Sequence, residues 1–187
     1  REPTWFNAPV PSFGPRDARL LIAGLAPGLR GANRTGRPFT GDFAGDLLFR
    51  TLIDFGFAEG RYEKRPDDSL VLIDARITNA VRCVPPENKP TPAEINTCRG
   101  FLIPTISRFP NLKAILALGA IGHQSTVRAL GGKVSAMPFK HGGRYEAGAL
   151  LDMSQRHSPL GYSAALPREP EMSRNDSDDS RSVALYW

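Results

Sequence analysis

Short apolar runs alternate with segments of helical periodicity along most of the chain. The runs at residues 18–26 and 113–119 are typical of buried strands. A second strand region spans residues 69–74 and 77–81, and we expect a further strand over residues 143–153. These runs are too short for core helices of ordinary length, which favours strands over helices.

Three predicted helices separate these strands, over residues 44–55, 91–108 and 121–130. In the first of them, Leu48, Leu52 and Phe55 share one face. The second of them opens with Thr91 and Glu94 at the spacing of a capping box. Strands that alternate with helices predict an α/β fold, in which a parallel sheet is covered on both faces.

The two ends of the chain depart from this alternation. Residues 1–15 are rich in proline and aromatic side chains, and we expect an irregular arm that packs on the body. Residues 167–182 are polar and low in complexity, which indicates disorder. The predicted organisation is one domain over residues 1–166 and a divergent, disordered tail over residues 167–187.

The charge of the chain favours a polyanionic partner. Its 187 residues include 24 Lys and Arg against 19 Asp and Glu, a net charge of +5. Residues 167–187 hold three basic and five acidic side chains, a net charge of −2 that leaves +7 on the rest. A basic body suits nucleic acid without specifying it. Because no apolar run is long enough to cross a membrane, we expect a soluble, cytoplasmic protein.

Residues 21–45 carry the most distinctive chemistry. An apolar strand runs into a glycine-rich loop, and the strand's carboxyl end is where open α/β sheets bind ligands. The loop matches neither GxxxxGK[ST] nor GxGxxG, so nothing in it indicates a nucleotide cofactor. It does hold Arg34, Arg37 and Phe39, a combination that suits phosphates and a stacked base. Asp42 follows at the start of a predicted helix, either as a helix cap or as a functional carboxylate.

Two segments together resemble the uracil-DNA glycosylase superfamily, in particular family 5, its B-type branch. GLAPG at residues 24–28 and GANRTGRPFTGD at residues 31–42 are similar to the first signature of that branch. ITNAVRCVPPENKP at residues 77–90 is similar to its asparagine-containing strand and the loop that follows. The similarity extends over roughly residues 9–150. It implies a three-layer α/β/α sandwich with a central four-stranded parallel sheet.

The resemblance implies a base-excision site built from both segments. Asn79 reads uracil, because its amide oxygen accepts from N3–H while its NH2 donates to O4, and cytosine presents the reverse pattern. Phe39 stacks on the extruded base. Asp42 orients the water or stabilises the oxocarbenium-like sugar, so Asp42 and Asn79 are the candidate catalytic residues. Backbone amides of residues 24–28 hold the pyrimidine O2. The candidate substrate-binding residues are Gly24, Leu25, Ala26, Pro27, Gly28, Phe39 and Asn79.

Two positions of the loop differ from other branches of the superfamily. Ala26 stands where other branches place an acid, which leaves Asp42 as the carboxylate for the water. Gly28 stands where the most selective uracil enzymes carry a tyrosine that excludes the thymine methyl group. We therefore expect a roomier pocket that also accepts hypoxanthine, xanthine or etheno bases.

The resemblance also implies contacts with DNA outside the base pocket. Family members place a histidine motif after the fourth strand, in a loop that enters the minor groove. Here His157 is followed by serine and proline in exchanged order, and an alternative register places Asp152 at the histidine position. The candidate DNA-binding residues are Asn33, Arg34, Arg37 and His157.

Cys83 and Cys98 are the two cysteines of the chain. Two thiols in a cytosolic chain are more often free or metal-bound than joined in a structural disulfide. The resemblance implies a [4Fe–4S] cluster on four cysteines, and these two match two of its ligand positions. The pair that the family places near the amino end is absent here, so the chain supplies two of the four thiolates that such a cluster requires. Two free cysteines remain the alternative.

The expected function is DNA base-excision repair. We expect a monofunctional glycosylase that hydrolyses the N-glycosidic bond of uracil, and of other deaminated bases, and leaves an abasic site. The expected partner is damaged DNA, bound by a monomer near the nucleoid of a bacterium or archaeon. The alternatives are a DNA-binding homologue with impaired catalysis and a nucleotide N-glycosidase. Asn79 and Asp42 favour repair, and the two loop arginines favour a polymer over a free nucleoside.

Overall fold

The computed structural model describes residues 2–146 and 184–186, which form seven strands, four α-helices and one 3₁₀ turn. The helix over Pro92–Ser107 starts with the predicted capping box, in which the backbone N–H of Thr91 donates to the Glu94 carboxylate over 2.6 Å and the N–H of Glu94 donates to Oγ1 of Thr91 over 3.3 Å. The elements in chain order are β1 (Leu20–Gly24), α1 (Ala32–Thr35), α2 (Phe43–Asp54), β2 (Ala58–Glu59), β3 (Val71–Leu72), β4 (Ala75–Asn79), the 3₁₀ turn (Pro86–Asn88), α3 (Pro92–Ser107), β5 (Ala114–Ala117), α4 (Ala120–Ala129), β6 (Arg144–Glu146) and β7 (Ala184–Tyr186).

The main sheet has five strands in the order β4-β1-β5-β7-β6. Four of them, β4, β1, β5 and β7, run parallel, as the alternation of strands and helices predicts. The predicted strand over residues 143–153 is described only as β6, which pairs antiparallel with β7 at the sheet edge. The fourth parallel strand comes instead from residues 184–186. Residues 147–153 lie outside the described part of the chain.

Strand β1 is buried on both faces, which makes the fold a three-layer sandwich. Leu21 and Ala23 pack with α3 and the region of α4 in one core, whereas Ile22 packs with Phe49 and Leu52 of α2 in the other. Side chains alternate across a strand, so neighbouring residues of one apolar run serve opposite cores. The predicted α/β/α sandwich is thus confirmed.

The amino-terminal arm, residues 2–15, lies against the body as predicted. The backbone N–H groups of Phe6 and Asn7 donate to the carbonyl oxygens of Arg34 and Asn33, each over 3.1 Å. Further along, Phe13 forms an antiparallel bridge with Ile77 on the free edge of β4. The arm therefore covers a sheet edge that would otherwise leave backbone groups unpaired.

The predicted boundary at residue 166 remains a prediction, because residues 147–183 are not described. The predicted disorder of residues 167–182 lies in the same undescribed segment. In the described ranges, no helix combines the length and the hydropathy needed to cross a membrane.

Candidate active site

The candidate site lies at the carboxyl ends of β1 and β4. Parallel pairing sets Gly24, the last residue of β1, opposite Asn79, the last residue of β4. The chain leaves β1 through the active-site loop, residues 25–42, and returns into α2. Ends of adjacent parallel strands are the usual ligand-binding edge of such a sheet, and the two sequence segments meet there.

Gly24 allows the side chains of Asn79 and Phe39 to approach each other. A Cβ on Gly24 would stand 2.5 Å from Oδ1 of Asn79 and 2.6 Å from Cζ of Phe39. Asn79 is buried, 6% exposed, and its Oδ1 has no hydrogen-bond partner among the described residues. A buried, unpartnered amide oxygen costs free energy. A ligand donor such as an imide N–H would satisfy it.

Phe39 is held in a left-handed backbone conformation with φ of 58°. The hydroxyl of Tyr62 donates to the carbonyl oxygen of Phe39 over 3.3 Å and accepts from the N–H of Gly41 over 3.0 Å. A Cβ on Gly45 would overlap the Phe39 carbonyl oxygen, so only glycine allows α2 this close to the loop. Strained backbone persists where its surroundings fix it, and these contacts fix the backbone of Phe39.

Asp42 does not act as a helix cap, although it occupies the N-cap position of α2. Its side chain makes no capping hydrogen bond. The carboxylate instead points across the active-site loop, towards the backbone N–H groups of Gly28 and Ala32. A Cβ on Gly28 or Gly31 would overlap its Oδ1. Of the two interpretations that the sequence left open, the geometry supports the functional carboxylate.

The carboxyl group of Asp42 is half-buried. Burial raises the pKa of Asp42 above its usual range, although the backbone N–H groups of Ala32 and Gly28 oppose that rise. A carboxylate with a raised pKa at the wall of a cavity is a candidate for proton transfer.

A cavity of about 580 Å³ opens beside Phe39 and Asp42. Its size falls in the range of ligand sites. Asn79 adjoins it through Phe39 without lining it, and Pro27 is buried away from it. Its wall is otherwise mostly apolar and is formed by Leu25, Ala26, Gly28, Phe39, Asp42, Ala44, Leu47, Leu48, Thr51, Asn88, Leu116 and Leu118.

Arg37 lies inside the protein, which argues against its predicted contact with phosphate. It is 5% exposed and forms two hydrogen bonds of 2.7 and 2.8 Å with the carboxylate of Asp68. Its Nε donates to Oγ1 of Thr40 over 2.6 Å, and its guanidinium lies over the ring of Phe13. Arg37 therefore anchors the active-site loop to the protein interior.

The remaining predicted DNA-binding residues differ in exposure. Asn33 is buried, and its side chain donates to Oδ1 of Asn7 in the arm over 3.0 Å. Arg34 is exposed beside Arg30, and its Nε donates to the Arg30 carbonyl oxygen over 3.0 Å. His157 lies outside the described residues. The surface of the loop thus offers Arg34 and Arg30 to a polyanion.

The cysteines do not by themselves fit a [4Fe–4S] cluster. Cys83 is exposed, Cys98 is half-buried, and neither is in a disulfide. Such a cluster requires four thiolates, and the chain has two. No group of three or more His, Cys, Asp or Glu side chains within residues 2–146 is arranged to hold a metal ion.

Sequence reasoning missed the residues that support the loop. Asp68 and Tyr62 lie far along the chain from the residues they contact, Arg37 and Phe39. Neither belongs to a motif, and no local pattern marks them. A buried arginine next to an aromatic residue offers no signal that separates it from a phosphate-binding arginine.

Comparison with known proteins agrees with this geometry. The sequence matches the family described as Uracil DNA glycosylase superfamily over residues 11–172. The chain belongs to this superfamily.

Curated relatives identify the branch. The chain is 44% identical to a Type-5 uracil-DNA glycosylase of Thermus thermophilus over 144 residues. The aligned region covers 77% of the chain and 65% of the relative. It is 35% identical over 158 residues to a Type-5 enzyme of Pyrobaculum aerophilum, and this alignment covers 84% of the chain and 69% of the relative. It is 43% identical over 150 residues to a Type-5 enzyme of Mycobacterium tuberculosis, and this alignment covers 79% of the chain and 56% of the relative. The family-5 resemblance is thus confirmed, and the chain spans between about half and about two thirds of these relatives' lengths.

Proposed function

We propose that this chain excises uracil from DNA by hydrolysing the N-glycosidic bond and leaving an abasic site. The observation that carries the proposal is the buried Oδ1 of Asn79, unpartnered among the described residues and next to the ring of Phe39. A flipped uracil supplies both missing partners, an N3–H donor for the oxygen and a ring for the stack. The names of the relatives in the same branch support the choice of uracil in DNA.

The O2 atom of the base is the place where negative charge develops as the bond breaks. The N–H of Gly28 faces the Asp42 carboxylate and lowers the pKa of that group, and Pro27 has no N–H. The backbone N–H groups of Leu25 and Ala26 therefore hold O2 in this proposal. Fixed backbone donors at a developing oxyanion need no reorganisation during the reaction.

Asp42 activates the water. As the C1′–N1 bond breaks, its electron pair leaves with N1 of the base and positive charge builds on the sugar. The water oxygen bonds to C1′ while the Asp42 carboxylate accepts a proton from that water. The same negative charge stabilises the oxocarbenium-like sugar electrostatically. This role requires Asp42 to be ionised.

The base range extends beyond uracil in this proposal. Gly28 cannot carry a side chain while Asp42 occupies its observed position, because a Cβ would overlap the carboxylate. A tyrosine that would block a larger base is thus incompatible with this arrangement. A cavity of about 580 Å³ accommodates a purine. We expect excision of hypoxanthine and xanthine at lower rates than uracil, measured on matched oligonucleotides.

The protein acts as a monomer on chromosomal DNA in the cytoplasm, near the nucleoid, in this proposal. The net charge of +5 supports a polyanionic partner, and the bacterial and archaeal origin of the relatives supports the location. Every step proposed above uses residues of the active-site loop and of β4, and none is routed through an iron–sulfur cluster.

Single-turnover excision from an oligonucleotide with one uracil, followed by alkali, tests the proposal. We expect strand breaks with the wild-type chain and none above background with Asp42→Asn. Asp46→Asn is the matched control, since Asp46 is an acid on the same helix that pairs with Lys64 over 2.7 Å outside the cavity. It should retain activity.

The same assay separates the alternatives. Binding of uracil DNA by gel shift without breaks would overturn the enzymatic proposal in favour of a DNA-binding homologue. Release of uracil from deoxyuridine monophosphate but not from the oligonucleotide would favour a nucleotide N-glycosidase instead.

A further inference from the structure

A second cavity, of about 460 Å³, lies between the amino-terminal arm, β4 and α3. It shares no lining residue with the cavity beside Asp42. Its volume is also in the range of small-ligand sites. Its lining residues are Pro11, Ser12, Arg16, Arg76, Arg82, Phe101, Pro104, Thr105, Arg108 and Phe109.

Four arginines converge on this cavity without a counter-charge. They are Arg16, Arg76, Arg82 and Arg108, and we call them the arginine cluster. No carboxylate of residues 2–146 lines the cavity. None of the four forms an ion pair with a described residue, although many other basic side chains do, such as Arg19 with Asp74 over 2.6 Å.

The two half-buried arginines of the cluster have neutral partners. Arg76 donates to the carbonyl oxygen of Gly14. Arg82 donates to Oγ1 of Thr105 over 3.2 Å and lies over the ring of Phe101 at 5.6 Å. These contacts orient the guanidinium groups but leave their charge uncompensated.

Mutual repulsion within the cluster is visible at Arg76. Burial lowers the pKa of Arg76, and the charges of Arg16 and Arg82 lower it further. Like charges held together in a partly buried site cost free energy, which an anion between them would recover.

We propose that the arginine cluster binds a phosphate-type oxyanion, at a site separate from the base pocket. Planar guanidinium groups match phosphate oxygens with paired N–H donors, and several of them around one cavity suit a multiply charged group. The ligand is either a free diphosphate compound or two successive phosphates of a nucleic-acid backbone. This site does not depend on the glycosylase proposal, because it has its own cavity and its own residues.

Calorimetric titration of the whole chain with inorganic pyrophosphate tests the site. Arg16→Gln/Arg108→Gln removes two exposed members of the cluster whose side chains hold no described hydrogen bond, so the fold should be retained. Arg76→Gln/Arg82→Gln removes the two half-buried members. Arg61→Gln/Arg65→Gln is the matched control, since it removes the same charge near Glu63, away from this cavity.

We expect pyrophosphate to bind the wild-type chain and to bind either cluster variant about tenfold or more weakly, while the control changes less than about twofold. No binding to the wild-type chain would overturn the proposal. An equal loss in the control would also overturn it, because the effect would then be general charge screening.

Competition with a uracil-free oligonucleotide distinguishes the two sources of phosphate. Displacement of the oligonucleotide by pyrophosphate in the wild-type chain, but not in Arg16→Gln/Arg108→Gln, would support a nucleic-acid backbone as the ligand. Simultaneous binding of both would support a free diphosphate compound. Either result supports an oxyanion site. If the oxyanion-site proposal fails, the assay of uracil excision still tests the glycosylase proposal independently.

Discussion

At the scale of single residues, Asn79 and its neighbour Thr78 differ in how their buried side chains are satisfied. Thr78 is fully buried and its Oγ1 accepts a hydrogen bond from Ser12 over 3.0 Å. Asn79 is almost as buried, yet its Oδ1 has no partner in the described part of the chain. A polar group that stabilises the fold is satisfied within it, whereas one that recognises a ligand is left open.

Replacement of each residue by an apolar one of similar size should separate the two roles. Asn79→Leu should lower kcat/KM for uracil by about 100-fold, through loss of two hydrogen bonds to the base, without lowering Tm. Thr78→Val should cost about 1 kcal/mol of unfolding free energy and retain activity. Single-turnover kinetics and thermal melts of both variants measure this. A large loss of Tm in Asn79→Leu would contradict a recognition role.

The raised pKa of Asp42 predicts how activity and stability depend on pH. Excision should fall on the acid side at a pH above the ordinary range of an aspartate, because the carboxylate must be ionised. The contribution of Asp42 to the stability of the fold should change in the opposite direction, being greater in acid than at neutral pH. A carboxyl group with a raised pKa in the folded state stabilises the protein below its unfolded pKa, and that contribution is lost as pH rises through the folded pKa.

Asp42→Asn should therefore raise Tm at neutral pH while it removes activity, and the difference in Tm should shrink in acid. Thermal melts at neutral and acidic pH, with Asp46→Asn as the control, measure this. A lower Tm of Asp42→Asn at neutral pH would mean that the interaction of the carboxylate with the N–H groups of Ala32 and Gly28 outweighs the cost of burial.

The sequence indicates Asn79 and Asp42 as candidate site residues for different reasons. Asn79 ends an apolar strand within a motif, so both its place at the sheet edge and its type are readable. For Asp42 the sequence predicts the position at the helix start but not the role, because a helix cap and a functional carboxylate look alike in sequence. The choice between them depends on the close approach of Gly28 and Gly31, which is a tertiary property.

At the scale of elements, a buried ion pair anchors the active-site loop to the protein interior. The carboxylate of Asp68 is fully buried against Arg37. Burial alone would raise the pKa of Asp68, but hydrogen bonds from Arg37 and from the N–H groups of Glu63 and Leu70 outweigh it and hold this pKa below its usual range. The contribution of the pair is thus present above the unfolded pKa and is lost as pH falls through the folded one.

Breaking this pair should disturb both fold and site. Asp68→Asn leaves the Arg37 charge buried without a full partner, and we expect a loss of about 3–5 kcal/mol in unfolding free energy together with reduced excision. Glu63→Gln is the control, because its pair with Arg65 is solvent-exposed and is worth about 1 kcal/mol or less. Urea denaturation of both variants measures the difference. Equal, small losses would contradict a supporting role for Asp68.

The order of the strands illustrates what periodicity leaves open. Alternating apolar segments identify β1, β4 and β5 and the helices that cover them. The fourth parallel strand, β7, lies at residues 184–186, and the nearer apolar segment supplies the antiparallel edge strand β6. Strand direction and order depend on pairing between distant segments, and neither is encoded in the local pattern.

At the scale of the whole molecule, positive charge is divided between the inside and the surface. Arg37 is neutralised within the core, Arg34 is exposed on the active-site loop, and the arginine cluster lies on another face. Because the arginine cluster lies away from the candidate base pocket, the net charge of +5 does not measure the charge beside that pocket. Composition predicts the sign of the partner, whereas only the fold tells which arginines can reach it.

Salt dependence of DNA binding counts the arginines that do reach it. If Arg34 contacts a phosphate, Arg34→Gln should weaken binding of a uracil-containing duplex and reduce the slope of log K against log salt by about 0.9. Arg61→Gln, the control, removes the same charge from an exposed site that pairs with Glu63 over 3.7 Å and should leave the slope unchanged. Equal slopes for the wild-type chain and Arg34→Gln would exclude Arg34 from the interface. The positive charge that attracts DNA would then have to come from Arg30 or from surfaces beyond the active-site loop.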